Sequence, residues 1–418
     1  MQEGVNLLHS ESVILAQDFL MAILVMFLAG TLAGKLAGKI NVPDVVIFLL
    51  VGILLGSSVF GWINISTDST INQVILLFGA AFIIFHGGMI THFSILKQVW
   101  RTIALLSTLG VLITAFIVAI ATNLIFGLDF KVALLLGAIL ASTDPAALIP
   151  IFQKFPIRRK VSQTVIAESA FTDATGAIMT VVVFGIIQLD SAVDAFSISW
   201  QFIQLALGGI LVGAAIGWFA AFLISENDRG LLREFTPMVV VLTVLAVYLL
   251  CEKLHFSGFM GVFVAGLMVG NAKSLRLTVL PEQEHAAHQF IDAVGLKLRM
   301  LIFVLLGSQV DFAILRQYIG LSLAVVAVFI FIARPVTVLA SLLPDKKAKW
   351  KRAEIGFFFW TRETGVIAAA LSGIVVSSGL PEGRLLSAVT FVAILVTLIV
   401  QASTTPYVAK KLHLRETE

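Results

Sequence analysis

Charge is scarce in this chain. Asp, Glu, Lys and Arg make up 13% of its 418 residues, where soluble domains carry about 25%, and this excludes an ordinary soluble globular fold. Cysteine is nearly absent too: Cys251 stands alone, which excludes an internal disulfide and a cysteine-based zinc cluster and leaves it a place in helix packing. Met1 to Gln17 holds Glu3 and Glu11 but no Lys or Arg, the reverse of the basic start of a cleavable signal, so the first apolar run reads as a span. No phosphate-binding loop with its lysine occurs, which argues against ATP-driven pumping and makes an ion gradient the expected energy source. No His-Glu-x-x-His motif and no nucleophile and base pair stands out for hydrolysis. The chain is therefore read as a non-enzyme without cofactor, nucleotide or nucleic-acid partner; its net charge of +3 is assigned to basic loops beside a membrane.

What is abundant is apolar sequence. Hydrophobic residues reach 59%, the mean hydropathy is +1.02, and the long continuous runs imply helices rather than a barrel. Runs able to span a bilayer fall near 13–35, 43–61, 71–90, 102–126, 131–153, 162–188, 200–224, 235–251, 255–271, 288–307, 317–343, 353–378 and 385–408. The fold class expected is an all-α polytopic membrane protein of about 13 transmembrane helices. Alternate connections differ sharply in charge: one set gathers Lys35, Lys39, Arg158, Arg159, Lys160, Arg229, Lys346, Lys347, Lys410 and most other basic residues, the other only Lys131, Lys253, Arg316 and Arg384. By the positive-inside rule the N-terminus is outside and the C-terminus cytoplasmic.

Two spans are interrupted. Span five contains Ser142-Thr143-Asp144-Pro145, where proline removes a backbone donor and frees a carbonyl. Span twelve contains Trp360-Thr361-Arg362-Glu363-Thr364-Gly365. Broken helices at corresponding places mark the binding site in transporters built from inverted repeats, and spans two to six and nine to thirteen are expected to be such copies, with two broken helices that cross.

The ionisable residues inside spans are Asp144, Glu168, Asp173, Arg334, Arg362 and Glu363, with Asp292, Lys297 and Arg299 at the entry of span ten. Intramembrane charges are costly and persist mainly where they serve ions or protons. Glu168 and Asp173 lie about 140° apart on a helix, so they have different partners, whereas Ser169 and Asp173 share a face bordered by Thr172. Asp173 is read as a reversible proton or cation site, with a pair to Arg362 as the alternative. Glu168 is either an ion ligand or, as favoured here, the partner of Arg334; Asp144 is either a ligand or the cap of the broken helix. Lys297 and Arg299 read as anchors at the cytoplasmic end, and His86 as packing or a weak pH modulator. Gly208, Gly209, Gly213 and Gly217 are expected to allow close helix packing.

With these residues in hand, the chain resembles the NhaP-type sodium/proton antiporters of the cation:proton antiporter superfamily along nearly its whole length. The matching stretches are Phe85-His86-Gly87-Gly88, Ser142 to Pro145, Glu168-Ser169 followed by Asp173, Ser257-Gly258-Phe259, Val264 to Leu267, Gly270-Asn271, Ala333-Arg334-Pro335 and Trp360 to Gly365. The resemblance implies an antiporter exchanging Na+ (or Li+) for H+, electroneutral at one to one, by elevator-type alternating access in a homodimer of a prokaryotic inner membrane. It implies that Asp173 is the shared carrier, that Thr143, Asp144 and Ser169 complete the Na+ site with Thr172 beside it, and that Glu168 pairs with Arg334. K+/H+ exchange on the same scaffold, or a transport-inactive ion-sensing or channel-like protein, are the rival expectations. The chain reads as one transporter unit over 1–418 without a soluble regulatory domain, its core near 71–188 and 288–378 and its interface part near 13–61, 200–271 and 385–408. It departs from the family at Thr172, where asparagine is usual, and at Thr364, where the family arginine precedes the glycine; here Arg362 lies two residues earlier, about 200° round a helix, and Arg362 with Glu363 is expected to form a local gate.

Overall fold

The computed structural model describes residues 11–40, 42–67, 69–189, 195–225 and 231–416; the acidic start with Glu3 and the basic Arg229 lie outside them. Every named element is helical, and the β pairing among the described residues is limited to two isolated bridges, Gly56 with Ile63 and Ile157 with Arg415. In chain order the helices are α1 (Glu11–Ile40), α2 (Asp44–Leu55), α3 (Thr70–Ile90), α4 (Phe93–Ser107), α5 (Leu109–Phe126), α6 (Phe130–Ala141), α7 (Pro145–Lys154), α8 (Arg159–Leu189), α9 (Ala195–Leu223), α10 (Thr236–Lys253), α11 (Gly258–Gly270), α12 (Pro281–Ser308), α13 (Phe312–Val328), α14 (Arg334–Leu342), α15 (Arg352–Trp360), α16 (Val366–Ser377), α17 (Gly383–Val396) and α18 (Ser403–Lys411).

Nine described helices, some formed by consecutive elements, are long and apolar enough to cross a membrane. Four more passes evade that test for separate reasons. α2 and α11 are short; α12 is long but carries Asp292, Lys297 and Arg299; and the pass made by α15 and α16 is broken at Thr361–Gly365. The expected all-α polytopic architecture of thirteen passes is therefore present. Its exterior is apolar, as lipid requires: Leu20, Leu24, Leu28 and Leu32 form an exposed stripe along α1, while Asp144, Glu168, Asp173, Arg334, Arg362 and Glu363 are buried.

Local sequence explains the irregular passes. Pro335 and Pro406 each lack the N–H that an α-helix needs, and each follows a π-helical stretch, Phe329–Ala333 and Thr397–Ala402. Such wide turns absorb the broken hydrogen bond without ending the helix. α6 and α7 are separated by Ser142–Asp144, where Pro145 opens the second half-helix and Asp144 caps it.

The passes pack as two bundles. α1, α2, α3, α9, α10, α11 and α12 form the first; α4 to α8 and α13 to α18 form the second. This differs from the expected division, which put 71–90 and 288–307 with the core and 385–408 with the interface part. The reason is small-residue packing that tracts read singly do not show. Glycines of α3 and α11 press on one another's backbones, as do those of α2 and α12, while the last pass is held to the broken one by polar bonds described below.

The glycines of span seven pack closely as expected, Gly208 against Phe256 and Gly209, Gly213 and Gly217 against α11, and a Cβ at Gly213 would overlap the Gly261 backbone. Replacing Gly213 by Leu is expected to cost about 1–3 kcal/mol by overpacking and lower the melting temperature in detergent. Gly320→Leu, at a site open to its surroundings, should leave it unchanged in the same thermal-shift measurement.

Candidate functional site

The two breaks meet, and their polar groups satisfy one another. The Asp144 N–H donates to the Glu363 carbonyl at 2.8 Å. The Asp144 carboxylate accepts from the Ala146 N–H at 2.8 Å through Oδ1 and from the Val366 N–H at 3.1 Å through Oδ2. One carboxylate thus serves the N-terminal ends of both α7 and α16, where helix dipoles favour negative charge. Gly365 makes this approach feasible, because a Cβ there would collide with the carboxylate.

The opposite half-helix ends are met by guanidinium groups. Arg362 Nη2 donates to the Ala141 carbonyl at 2.8 Å, at the end of α6, and its guanidinium lies 5.3 Å from the centre of the Phe329 ring. Arg334 donates from Nε to Phe358 (2.7 Å) and from Nη2 to Thr361 (2.8 Å), both carbonyls at the end of α15. The Arg334 fork also grips Glu168, Nη1 to Oε1 at 2.5 Å and Nη2 to Oε2 at 3.1 Å, with both side chains buried. Such a two-pronged pair fixes orientation as well as charge.

Asp173, on α8, is buried and accepts a hydrogen bond from the Ser142 hydroxyl. Thr172 meets Thr143, oxygen to oxygen at 2.6 Å, and also donates to the Ser169 carbonyl at 3.1 Å. The backbone explains the division. Ser142 and Asp144 are extended, and in extended chain alternate side chains point to opposite sides, so Ser142 and Asp144 share one side and Thr143 takes the other. Asp144 and Asp173 both line a small cavity whose remaining wall is apolar, with Ile83, Ile84, Val366 and Ile367 among its residues.

The structure therefore brings together Asp173, Asp144 and the Ser142–Asp144 break, with Thr143 and Thr172 one layer away. Ser169 is buried on the same helix, but the hydroxyl on the Asp173 carboxylate is that of Ser142, which the sequence pattern does not single out. Its signal is its place in the break, and only the extended backbone shows which of two adjacent hydroxyls faces the acid. The alternative pairing of Asp173 with Arg362 is not formed, because Arg362 is turned to Ala141. Arg362 and Glu363, expected as a local gate, do not pair with each other. Glu363 turns to the last pass, where Thr405 donates to its Oε1 at 3.5 Å.

That last pass adds residues to the site that the sequence pattern does not assign to it. Gln401 donates to the Trp360 carbonyl at 2.7 Å, the Trp360 indole to Thr404 at 2.8 Å, and the Thr364 N–H to Thr397 at 3.1 Å. Polar residues at 397, 401 and 405, one helical turn apart in an apolar run, are the available sign. Within α12, Lys297 is exposed whereas Arg299 is buried, so the two do not share an anchoring role. His86 Nε2 is 3.5 Å from Asp292 Oδ1.

Crossed half-helices around buried carboxylates, within a shell of membrane-spanning helices, define a membrane ion transporter whose site is formed by helix ends. The sequence agrees: the family model described as "Sodium/hydrogen exchanger, transmembrane" matches residues 23–411, and the chain belongs to that family, an integral membrane family of transporters. It is 31% identical to the K(+)/H(+) antiporter NhaP of Alkalimonas amylolytica over 94% of this chain and 67% of that protein. It is 28% identical to the probable Na(+)/H(+) antiporter 2 of Methanocaldococcus jannaschii, over 96% and 98% of the two chains. The solved structure of the sodium proton antiporter MjNhaP1 from Methanocaldococcus jannaschii at pH 8 superposes with a TM-score of 0.76 at 29% identity, covering 94% of this chain and 99% of that one.

The Glu168 and Arg334 pair yields a stability test. Removing one partner of a buried pair strands the other and costs about 3–5 kcal/mol, so Glu168→Ala should markedly lower the unfolding midpoint in detergent. Adding Arg334→Met should recover part of the loss but not all, because the Phe358 and Thr361 carbonyls also lose their donor. An unchanged midpoint in Glu168→Ala would show that the pair does not hold the fold.

Proposed function

We propose that this protein is a secondary antiporter that exchanges Na+ for H+ through a single shared carboxylate, Asp173. The observation that carries this reading is the placement of Asp173: buried, free of any cation partner among the described residues, hydrogen-bonded by one neutral hydroxyl, and facing the same cavity as Asp144. A carboxylate so placed has two ways to settle its charge, by taking a proton or by taking a cation, and each excludes the other. Asp144 contributes the second negative charge and Ser142 an uncharged oxygen, with Thr143, Ser169 and Thr172 completing the surroundings. Arg334 keeps Glu168 out of this competition by occupying both of its oxygens.

One carrier carboxylate supports exchange of one cation for one proton. The separate packing of the two bundles supports alternating access in which the second bundle, with both breaks and the last pass, moves against the first in a homodimer. The concentration of basic residues on alternate connections supports an N-terminus outside and a C-terminus in the cytoplasm of a prokaryotic inner membrane. K+ is kept as a second cation because a relative at 31% identity is a K(+)/H(+) antiporter, and hydroxyl and carboxylate oxygens serve either ion.

The test is cation-driven proton flux in proteoliposomes. Asp173→Asn should abolish flux while retaining the folded profile on size exclusion; robust exchange by this variant would sink the carrier role. In the wild type, proton and cation competing for one group should give a bell-shaped dependence of rate on pH, slowed at low pH by lack of cation binding and at high pH by lack of protons. Comparing Na+ with K+ in the same vesicles decides the cation.

A further inference from the structure

Between the bundles lies a second cavity, bounded by Val42, Pro43 and Asp44 from the first bundle and by Pro150, Ile151 and Pro406 from the second. Asp44 is the one carboxylate in its described wall, and Lys154, at the far end of α7, is the one basic residue there. Pro150 and Ile151 belong to α7, the half-helix that Asp144 caps, so the cavity runs along the element leading to the candidate ion site.

Behind Asp44 stands Arg299. Its Nε is 4.0 Å from Asp44 Oδ2, and its guanidinium folds back along α12, where a Cβ on Gly295 would lie 3.5 Å from Nη1. Asp292 lies two turns back on the same face. The residue is only 7% exposed, and Nε is buried without a hydrogen-bond partner. Arg334, by contrast, commits all three nitrogens to acceptors. A cation serving only as an anchor would reach for the surface, as exposed Lys297 can. Arg299 instead holds its positive charge inside, beside the Asp44 carboxylate.

From this placement we infer that Arg299 is a tethered cation on the route between the second cavity and Asp144, and that Asp44 is the carboxylate that first receives the incoming alkali cation. The guanidinium and the transported cation compete for the same negative field, so Arg299 sets how readily a cation passes from Asp44 to the site. It acts as a positioning charge and holds no ion itself. The inference rests on the antiport reading.

Initial rates of Na+-driven proton flux against Na+ concentration test it in proteoliposomes of wild type, Arg299→Gln, Arg299→Lys and Asp44→Asn. Arg299→Gln should lower the apparent KM for Na+ by roughly three- to fivefold, the effect of one unit charge across ~10 Å at an effective dielectric near ~40, with the change in KM rather than maximal rate. Arg299→Lys should stay near wild type, and Asp44→Asn should raise KM by a similar factor. A KM unchanged or raised in Arg299→Gln overturns the inference. So does an unchanged KM in Asp44→Asn, a measurement that decides the matter even if the arginine variant fails to fold. Absence of cation-driven flux in the wild type would sink the antiport reading and this inference with it; normal wild-type flux with unmoved KM values sinks the inference alone.

Discussion

A helix broken inside a membrane leaves N–H and C=O groups that lipid cannot satisfy, and the rest of this structure answers that constraint. Four half-helix ends meet at one place, and each finds charge of the sign its dipole calls for. Asp144 serves the N-terminal ends of α7 and α16, Arg362 the end of α6, and Arg334 the end of α15. Because each bond joins one pass to another, the breaks hold the second bundle together at the point where they would be expected to weaken it. The fork of Arg334 on Glu168 extends the same network to α8.

This arrangement separates two kinds of buried acid. Glu168 has both oxygens on a guanidinium, and its charge is settled within the protein. Asp173 has only a neutral hydroxyl and a cavity beside it, with no cationic side chain paired to it among the described residues. Asp144 lies between these extremes: its oxygens accept backbone N–H groups, yet it lines the cavity beside Asp173. A mobile ion would therefore meet a carboxylate already oriented by two helix ends, which lowers the cost of ordering the site around it.

The last pass has a part beyond filling the bundle. Its π-helical stretch and the turn that follows bring Thr397, Gln401, Thr404 and Thr405 against the broken segment of α15 and α16. The break is thereby bonded on one side to the ion-site half-helices and on the other to the end of the chain's apolar sequence. The pass packs mainly with α13 and α16.

How much of this could be read in advance follows from the range of each interaction. Composition and run length determined that the chain is an all-α polytopic membrane protein of thirteen passes, because burial in lipid acts on each segment separately. Proline and charge inside apolar runs located both breaks and the buried ionisable residues around them, since such groups are too costly to occur there by chance. Partners were another matter. Arg362 stands next to Glu363 in the chain yet faces Ala141, and Ser142, which the sequence pattern does not single out, is the hydroxyl on Asp173. An extended segment decides which hydroxyl points at the acid, and small-residue contacts between distant helices decide which passes pack together. Those choices of partner and packing depend on atoms brought close from far along the chain, and only the tertiary structure makes them.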